Sequence, residues 1–319
     1  MTNSCAFHEP RGTMYTEQSG GMSCVKKQAE AINVEKSALG EGPLWLPESG
    51  QLVWVDIEGM KIRMWNPKTR EDGSVSVGQR IGAVVRASDG RMVCALEHGF
   101  YFLDLTTGEL EPIVDPEAHL PGNRFNDGKC DPAGRFWAGT MPKSEDAPEG
   151  SLYRLDTDGS VHRMVGEISC SNGLGWSLDG RTMYYIDTGT RRVDRFDYDA
   201  ANGNISNRRV VANIPVDQGF PDGMTVDAEG KLWVAHWGGY AVSRFDPDTG
   251  ECLERIELPV SQVTSCCFGG DDLDELYITS ASVGLSEEQL RQEPLAGSLF
   301  VYKPGVKGQL AHDYQVQGK

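Results

Sequence analysis

The 319-residue sequence predicts an all-β fold: a six-bladed β-propeller with four-stranded antiparallel blades around a central channel. Three observations carry this reading. One layout recurs six times, each repeat holds two turn signals, and helical periodicity is nearly absent. The repeats start at Glu41, Ile81, Asn126, Asn172, Asp222 and Thr264, so they are 40, 45, 46, 50 and 42 residues apart. Four-stranded units at that period are the mark of propeller blades.

Each unit opens with a small or polar residue and a short apolar run. A Gly-centred turn follows, then a second run rich in Val, Tyr and Trp. The first unit, EGPLWLPESGQLVWVD, turns at Gly50; the second, IGAVVRASDGRMVCAL, at Gly90; the third, NDGKCDPAGRFWAG, at Gly134. The fourth, NGLGWSLDGRTMYYID, turns at Gly180 and the fifth, DGMTVDAEGKLWVAHW, at Gly230. In the sixth, TSCCFGGDDLDELYIT, an acidic DDLDE run replaces the glycine. A second turn follows in most units, near Asn66, Asp104, Asp156, Asp199 and Asp246, where Asx and Gly geometries suit tight hairpins.

Ser286 to Gln292 is the one helical-looking piece, an insertion in the sixth unit. The run AEAINVE (29–35) precedes the first unit and is expected to complete the last blade, since an open ring leaves strand edges unpaired. The expected division is a disordered N-terminal extension over 1–23, a propeller domain over 24–306, and a C-terminal tail over 307–319.

Composition bounds the function. A net charge of −17 argues against nucleic acid, whose phosphates are held by Lys and Arg. No apolar run approaches the ~20 residues of a membrane helix, and the polar start lacks the layout of a secretory signal. The eight cysteines show no CxxC spacing and read as reduced, mostly buried thiols. A cytoplasmic protein, a monomer or small homo-oligomer with no membrane or nucleic-acid partner, is the expectation.

One column of the repeats carries chemistry. Trp45, Val85, Cys130, Trp176, Val226 and Phe268 each lie four residues after the first position of their unit. The first positions then form a ring at the channel mouth, because the innermost strand of each blade runs along the channel. Glu41, Asn126, Asn172 and Asp222 give that ring two carboxylates and two amides, an all-oxygen set suited to a hard dication such as Ca²⁺, Mg²⁺ or Mn²⁺. Asn-Gly and Asp-Gly are also common hairpin turns. Pro221 before Asp222, and Ser169 to Ser171 before Asn172, place both pairs where a loop enters a strand instead. Arg124 lies in the same loop as Asn126 and suits a polyol or carboxylate. Asp156, Asp158, Asp197 and Asp199 echo a calcium loop but lack its Glu and read as hairpins; His98 and His236, in strand-like runs, read as buried, hydrogen-bonded histidines. There is no HExxH, Walker loop, GxSxG elbow or GxGxxG.

At these residues the sequence resembles the senescence marker protein / gluconolactonase / luciferin-regenerating enzyme family of sugar lactonases. The strings are GEGPLW (40–45), RFNDGKCDPAGRFWAGTM (124–141), SNGLGWSLD (171–179), YYIDT (184–188), PDGMTVDAEGKLWVA (221–235) and TSCCFGG (264–270), in order over ~30 to 305. The resemblance implies metal-dependent hydrolysis of a sugar-acid lactone to the acid. It puts metal ligands on Glu41, Asn172 and Asp222 and substrate contacts on Arg124 and Asn126. A further substrate Glu falls nearest to Glu145, with the spacing shifted by one. The expected cofactor is one divalent metal ion, Ca²⁺ or Zn²⁺ ahead of Mn²⁺, Mg²⁺ or Fe²⁺, with Asp222 as the catalytic carboxylate and a small-molecule sugar lactone as partner. Two alternatives stay open: a metal-dependent phosphotriesterase or arylesterase on the same scaffold, and a non-catalytic calcium-binding propeller.

Overall fold

The computed structural model describes residues 28–144 and 147–317. The expected disordered extension, 1–23, and Glu145 lie outside the described residues. The chain enters with β1 (Glu30–Ile32) and then builds its blades in sequence order. Blade one is β2 (Gly40–Leu46), β3 (Gln51–Asp56), β4 (Lys61–Trp65) and β5 (Asp72–Ser76). Blade two is β6 (Ile81–Arg86), β7 (Met92–Leu96), β8 (Gly99–Leu103) and β9 (Leu110–Val114). Blade three is β10 (Asn123–Cys130), β11 (Phe136–Pro142), β12 (Gly150–Leu155) and β13 (Val161–Ile168). Blade four is β14 (Ser171–Trp176), β15 (Thr182–Asp187), β16 (Arg192–Asp199) and β17 (Asn204–Asn213). Blade five is β18 (Phe220–Val226), β19 (Leu232–Trp237), β20 (Ala241–Phe245) and β21 (Cys252–Glu257). Blade six is β22 (Val263–Gly269), β23 (Glu275–Ser280) and β24 (Leu299–Tyr302), completed by β1. All neighbours pair antiparallel, and β1 pairs with β24 from Glu30↔Val301 to Ile32↔Leu299, which closes the ring.

The first strand of each blade is innermost, and β2, β6, β10, β14, β18 and β22 pack side by side around the channel. The second and third strands are buried on both faces. Alternate residues go to opposite neighbours: Val53 and Val55 pack with Ile81 and Val84 of blade two, while Leu52 and Trp54 pack with Tyr277 of blade six. This is why QLVWVD, MVCAL and LWVAHW read as unbroken apolar runs. The core is therefore six wedges, one between each pair of adjacent blades.

The five turn glycines hold φ between 61° and 90°, a left-handed conformation that a Cβ disfavours. In the sixth unit Leu273 takes that conformation (φ 55°), and its N–H donates to Gly270 O. The short helix α1 (Glu287–Gln292) sits between β23 and β24 and starts with a capping box of Ser286 and Gln289. Beyond β24, residues 307–317 run as a strap across the end of the channel remote from the ring. Gly308 N bonds Leu273 O, Tyr314 N bonds Arg86 O and Gln315 N bonds Gly134 O, so the strap ties blade six to blades two and three.

His98 corrects the sequence reading: it is exposed at the turn between β7 and β8, neither on a strand nor buried. His236 is buried on β19, with Nδ1 3.1 Å from Gln218 O. The cysteines Cys94, Cys130, Cys170, Cys252, Cys266 and Cys267 are free thiols; Cys5 and Cys24 lie outside the described residues. Among the described residues no helix is long and apolar enough to cross a membrane.

Candidate metal centre

Every inner strand loses its regular register at the same level. The pairing shifts after Glu41 in β2, Ile81 in β6, Phe125 in β10, Ser171 in β14, Pro221 in β18 and Val263 in β22. A bulge places an extra residue where the pleat would allow one, and so re-aims side chains that regular pairing would send into the wedges. Asn126, Asn172 and Asp222 occupy such bulges, and Glu41 is the last paired residue before one.

The structure brings these residues together. Asn126 Nδ2 donates to Ser171 O (2.8 Å) and to Asn172 Oδ1 (3.2 Å). Arg124 Nη1 donates to Asn126 Oδ1 at 2.7 Å and to Phe125 O at 3.0 Å. Glu41 Oε2 accepts from Gly42 N at 2.7 Å, and the Glu41 and Asp222 carboxyls lie close enough to interact. The remaining two members of the column stand apart. Ile81 is apolar, and Thr264 gives its hydroxyl to Gly40 O.

Two residues absent from the sequence-based set complete the arrangement. Thr188, in the turn after β15, accepts from Asn172 Nδ2 at 2.9 Å and donates to Pro221 O at 2.9 Å. That bond leaves Asn172 Oδ1 to Asn126 Nδ2, 3.2 Å away. Its only signal in the sequence was the end of the YYIDT string, to which no role attached. The second is Asp127, beside Asn126 in the same bulge and likewise buried.

Burial dominates the electrostatics. None of Glu41, Arg124, Asn126, Asp127, Asn172 and Asp222 is more than 9% exposed. Burial, and after it the negative charge of Asp127, pushes the Glu41 carboxyl above the usual carboxylate range. Asp222 is pushed well above it by burial, then by Glu41 and Asp127. Asp127 rises for the same first reason, against the pull of Lys129. Without a cation these groups hold protons that carboxylates do not normally keep. A dication removes the conflict, and the donor set of two carboxylates and the Asn172 amide oxygen fits a hard one. Among the described residues no three His, Cys, Asp or Glu side chains cluster as a metal-holding set, so only a set that includes an amide oxygen suits a dication here.

Below the ring, toward the strap, lies a cavity of about 390 Å³. Gly42 and Asp127 border its upper side, Trp45, Trp176 and Phe268 its walls, and Leu310 and His312 its floor.

The model of the SMP-30/Gluconolactonase/LRE-like region matches residues 39–282, more than half of the chain. The chain is 43% identical to regucalcin of Danio rerio over 296 residues, covering 92% of this chain and 99% of that protein. A calcium-binding protein, regucalcin, of Agrobacterium tumefaciens superposes with a TM-score of 0.87 at 31% identity, over 91% of this chain and 98% of its own. A gluconolactonase of Xanthomonas campestris superposes with a TM-score of 0.68 at 25% identity, over 84% and 87%. A six-bladed ring with this polar set at its bulges, matched over most of its length, belongs to the SMP-30/gluconolactonase/LRE-like family.

Proposed function

We propose that the protein hydrolyses a sugar-acid lactone, aldono-1,5- or 1,4-lactone to aldonic acid, at a divalent metal held by Glu41, Asn172 and Asp222. The observation that carries this is the convergence of two buried carboxylates and an oriented amide oxygen beside Arg124 and Asn126, in a family that includes gluconolactonase. When bound, the dication supplies the positive charge that polarises a lactone carbonyl. Ca²⁺ or Zn²⁺ is the first choice; the oxygen donors and a calcium-binding relative favour Ca²⁺.

Asp222 orients the attacking water and takes its proton on a carboxylate oxygen. Glu41 contributes the second negative charge of the donor set. Arg124 presents guanidinium N–H groups to the substrate hydroxyls and then to the carboxylate product, with Asn126 beside it. Glu145 is the remaining substrate contact of this reading. Lactone opening is slow but spontaneous in water, so charge and orientation suffice to accelerate it. The free thiols fit a reducing, cytoplasmic setting.

The test is a pH-indicator assay over a panel of aldonolactones, with chelated enzyme reconstituted with each metal. Asp222→Ala and Glu41→Gln are expected to lower turnover by at least about a hundredfold with the fold retained. Wild-type rates that survive EDTA and both substitutions would sink the proposal. Metal binding without turnover of any lactone would favour the non-catalytic calcium-binding reading, which the name of the Agrobacterium relative keeps in view.

A further inference from the structure

The position after each ring residue follows its own rule. It is Gly42, Gly82, Gly173 and Gly223 in blades one, two, four and five, Ser265 in blade six, and Asp127 in blade three. Gly82, Gly173 and Gly223 let neighbouring inner strands close on one another. A Cβ on Gly82 would stand 2.1 Å from Asn126 O, one on Gly173 2.8 Å from Asp222 O, and one on Gly223 2.1 Å from Ser265 Oγ. Blade three alone puts a charged group at this level. The Asp127 carboxylate accepts from Gly128 N at 2.7 Å, is 5% exposed and borders the cavity below the ring. It shares that border with Gly42, the residue after Glu41. Two residues along β10, Lys129 crosses the channel to blade five and donates to Met224 O at 2.7 Å.

We propose that Asp127 is a positioning residue of the metal centre, a third buried carboxylate below the donor ring whose charge strengthens dication binding without joining the ligands. The inference rests on the metal reading above. Glu41, Asp127 and Asp222 do not form a chelating trio. Asp127 therefore acts through its field, which low-dielectric surroundings transmit well. The field acts in opposite senses in the two states. In metal-free protein a charge on Asp127 adds to the cost of ionising Glu41 and Asp222; in metal-loaded protein it attracts the dication. An Asp that merely capped Gly128 N–H would stabilise both states alike.

The experiment is calorimetric titration of the full chain with CaCl₂ and, separately, ZnCl₂, paired with thermal melting in EDTA and in excess metal. Two variants are compared with wild type: Asp127→Asn, which keeps an acceptor for Gly128 N–H, and Asp127→Ser, which copies the residue blade six carries at this level. Both are expected to bind the dication about tenfold more weakly or worse. Asp127→Asn in EDTA is expected to melt no lower than wild type. Unchanged affinity in both variants, or a melting loss equal with and without metal, overturns the inference alone. A wild-type chain that binds neither ion overturns the metal reading and this inference with it.

Discussion

The two ends of the channel are built by the same six strands, and they do opposite things with them. At the ring end the register shifts in every inner strand, and Asn126, Asn172 and Asp222 emerge from the bulges toward one another. Four residues on, pairing is regular again, as in Trp45↔Leu52 and Trp176↔Met183, and the side chains return to the wedges. Trp45, Trp176 and Phe268 there belong to the apolar core, and the strap closes the end behind them. Where the ladder yields, a strand can aim polar groups at a shared centre; where it holds, the same strand can only bury apolar ones. The ring end thereby concentrates buried charge, and the strap end supplies packing.

The largest expected effect breaks the ring end. Gly82→Ala places its Cβ 2.1 Å from Asn126 O and 2.7 Å from Phe125 O, both backbone atoms that have no rotamer to yield. A loss above about 3 kcal/mol in urea unfolding is expected, together with lost metal binding. A variant as stable as wild type would show that the inner strands are not held at contact distance. Next comes the strap end. Tyr314 is 2% exposed and its hydroxyl donates to Asp156 O, so Tyr314→Ala is expected to lose about 2–3 kcal/mol. Lactone kcat/KM should stay within about twofold of wild type, because no ring residue moves. A large fall in kcat/KM at full folding would show that the two ends are coupled.

The smallest effect appears only in acid. Burial, and after it the charge of Arg255, lowers the His236 pKa to about 4 from the ordinary 6.5. Below pH 6.5 the unfolded chain takes up a proton that the folded chain refuses until about pH 4. The stability of the neutral ring is therefore complete above that window and is lost as pH falls through it. His236→Asn removes the titration and should flatten the acid limb of the stability profile. An unchanged slope between pH 6.5 and 4 would assign acid lability to other groups.

The blades were legible because each repeats a local code. Gly50, Gly90, Gly134, Gly180 and Gly230 adopt the left-handed turn that a hairpin demands, and α1 shows its capping box in the letters SEEQ. The column of Glu41, Asn126, Asn172 and Asp222 was legible for a related reason, since equal register on equal strands implies equal height. His98 was misplaced because a histidine after an apolar run reads as more of that run, whereas Gly99 (φ 107°) ends the hairpin there. Thr188 escaped notice because its role depends on Asn172 and Pro221, residues 16 and 33 positions away. Asp127 stood in plain view among glycines, and its departure from them acquires meaning only once the bulges bring the strands into contact.

The sequence by itself determined the number of blades, their turns, the strand that closes the ring and the column of polar residues at its mouth. Each follows from local propensity and from periodicity, which need no knowledge of what packs against what. Tertiary structure alone decided that Asn126 bonds Asn172, that Glu41 and Asp222 are buried side by side, that the strap shuts the far end, and that Asp127 borders the space below the ring. Those depend on desolvation and on distances between blades, and neither is set until the propeller is closed.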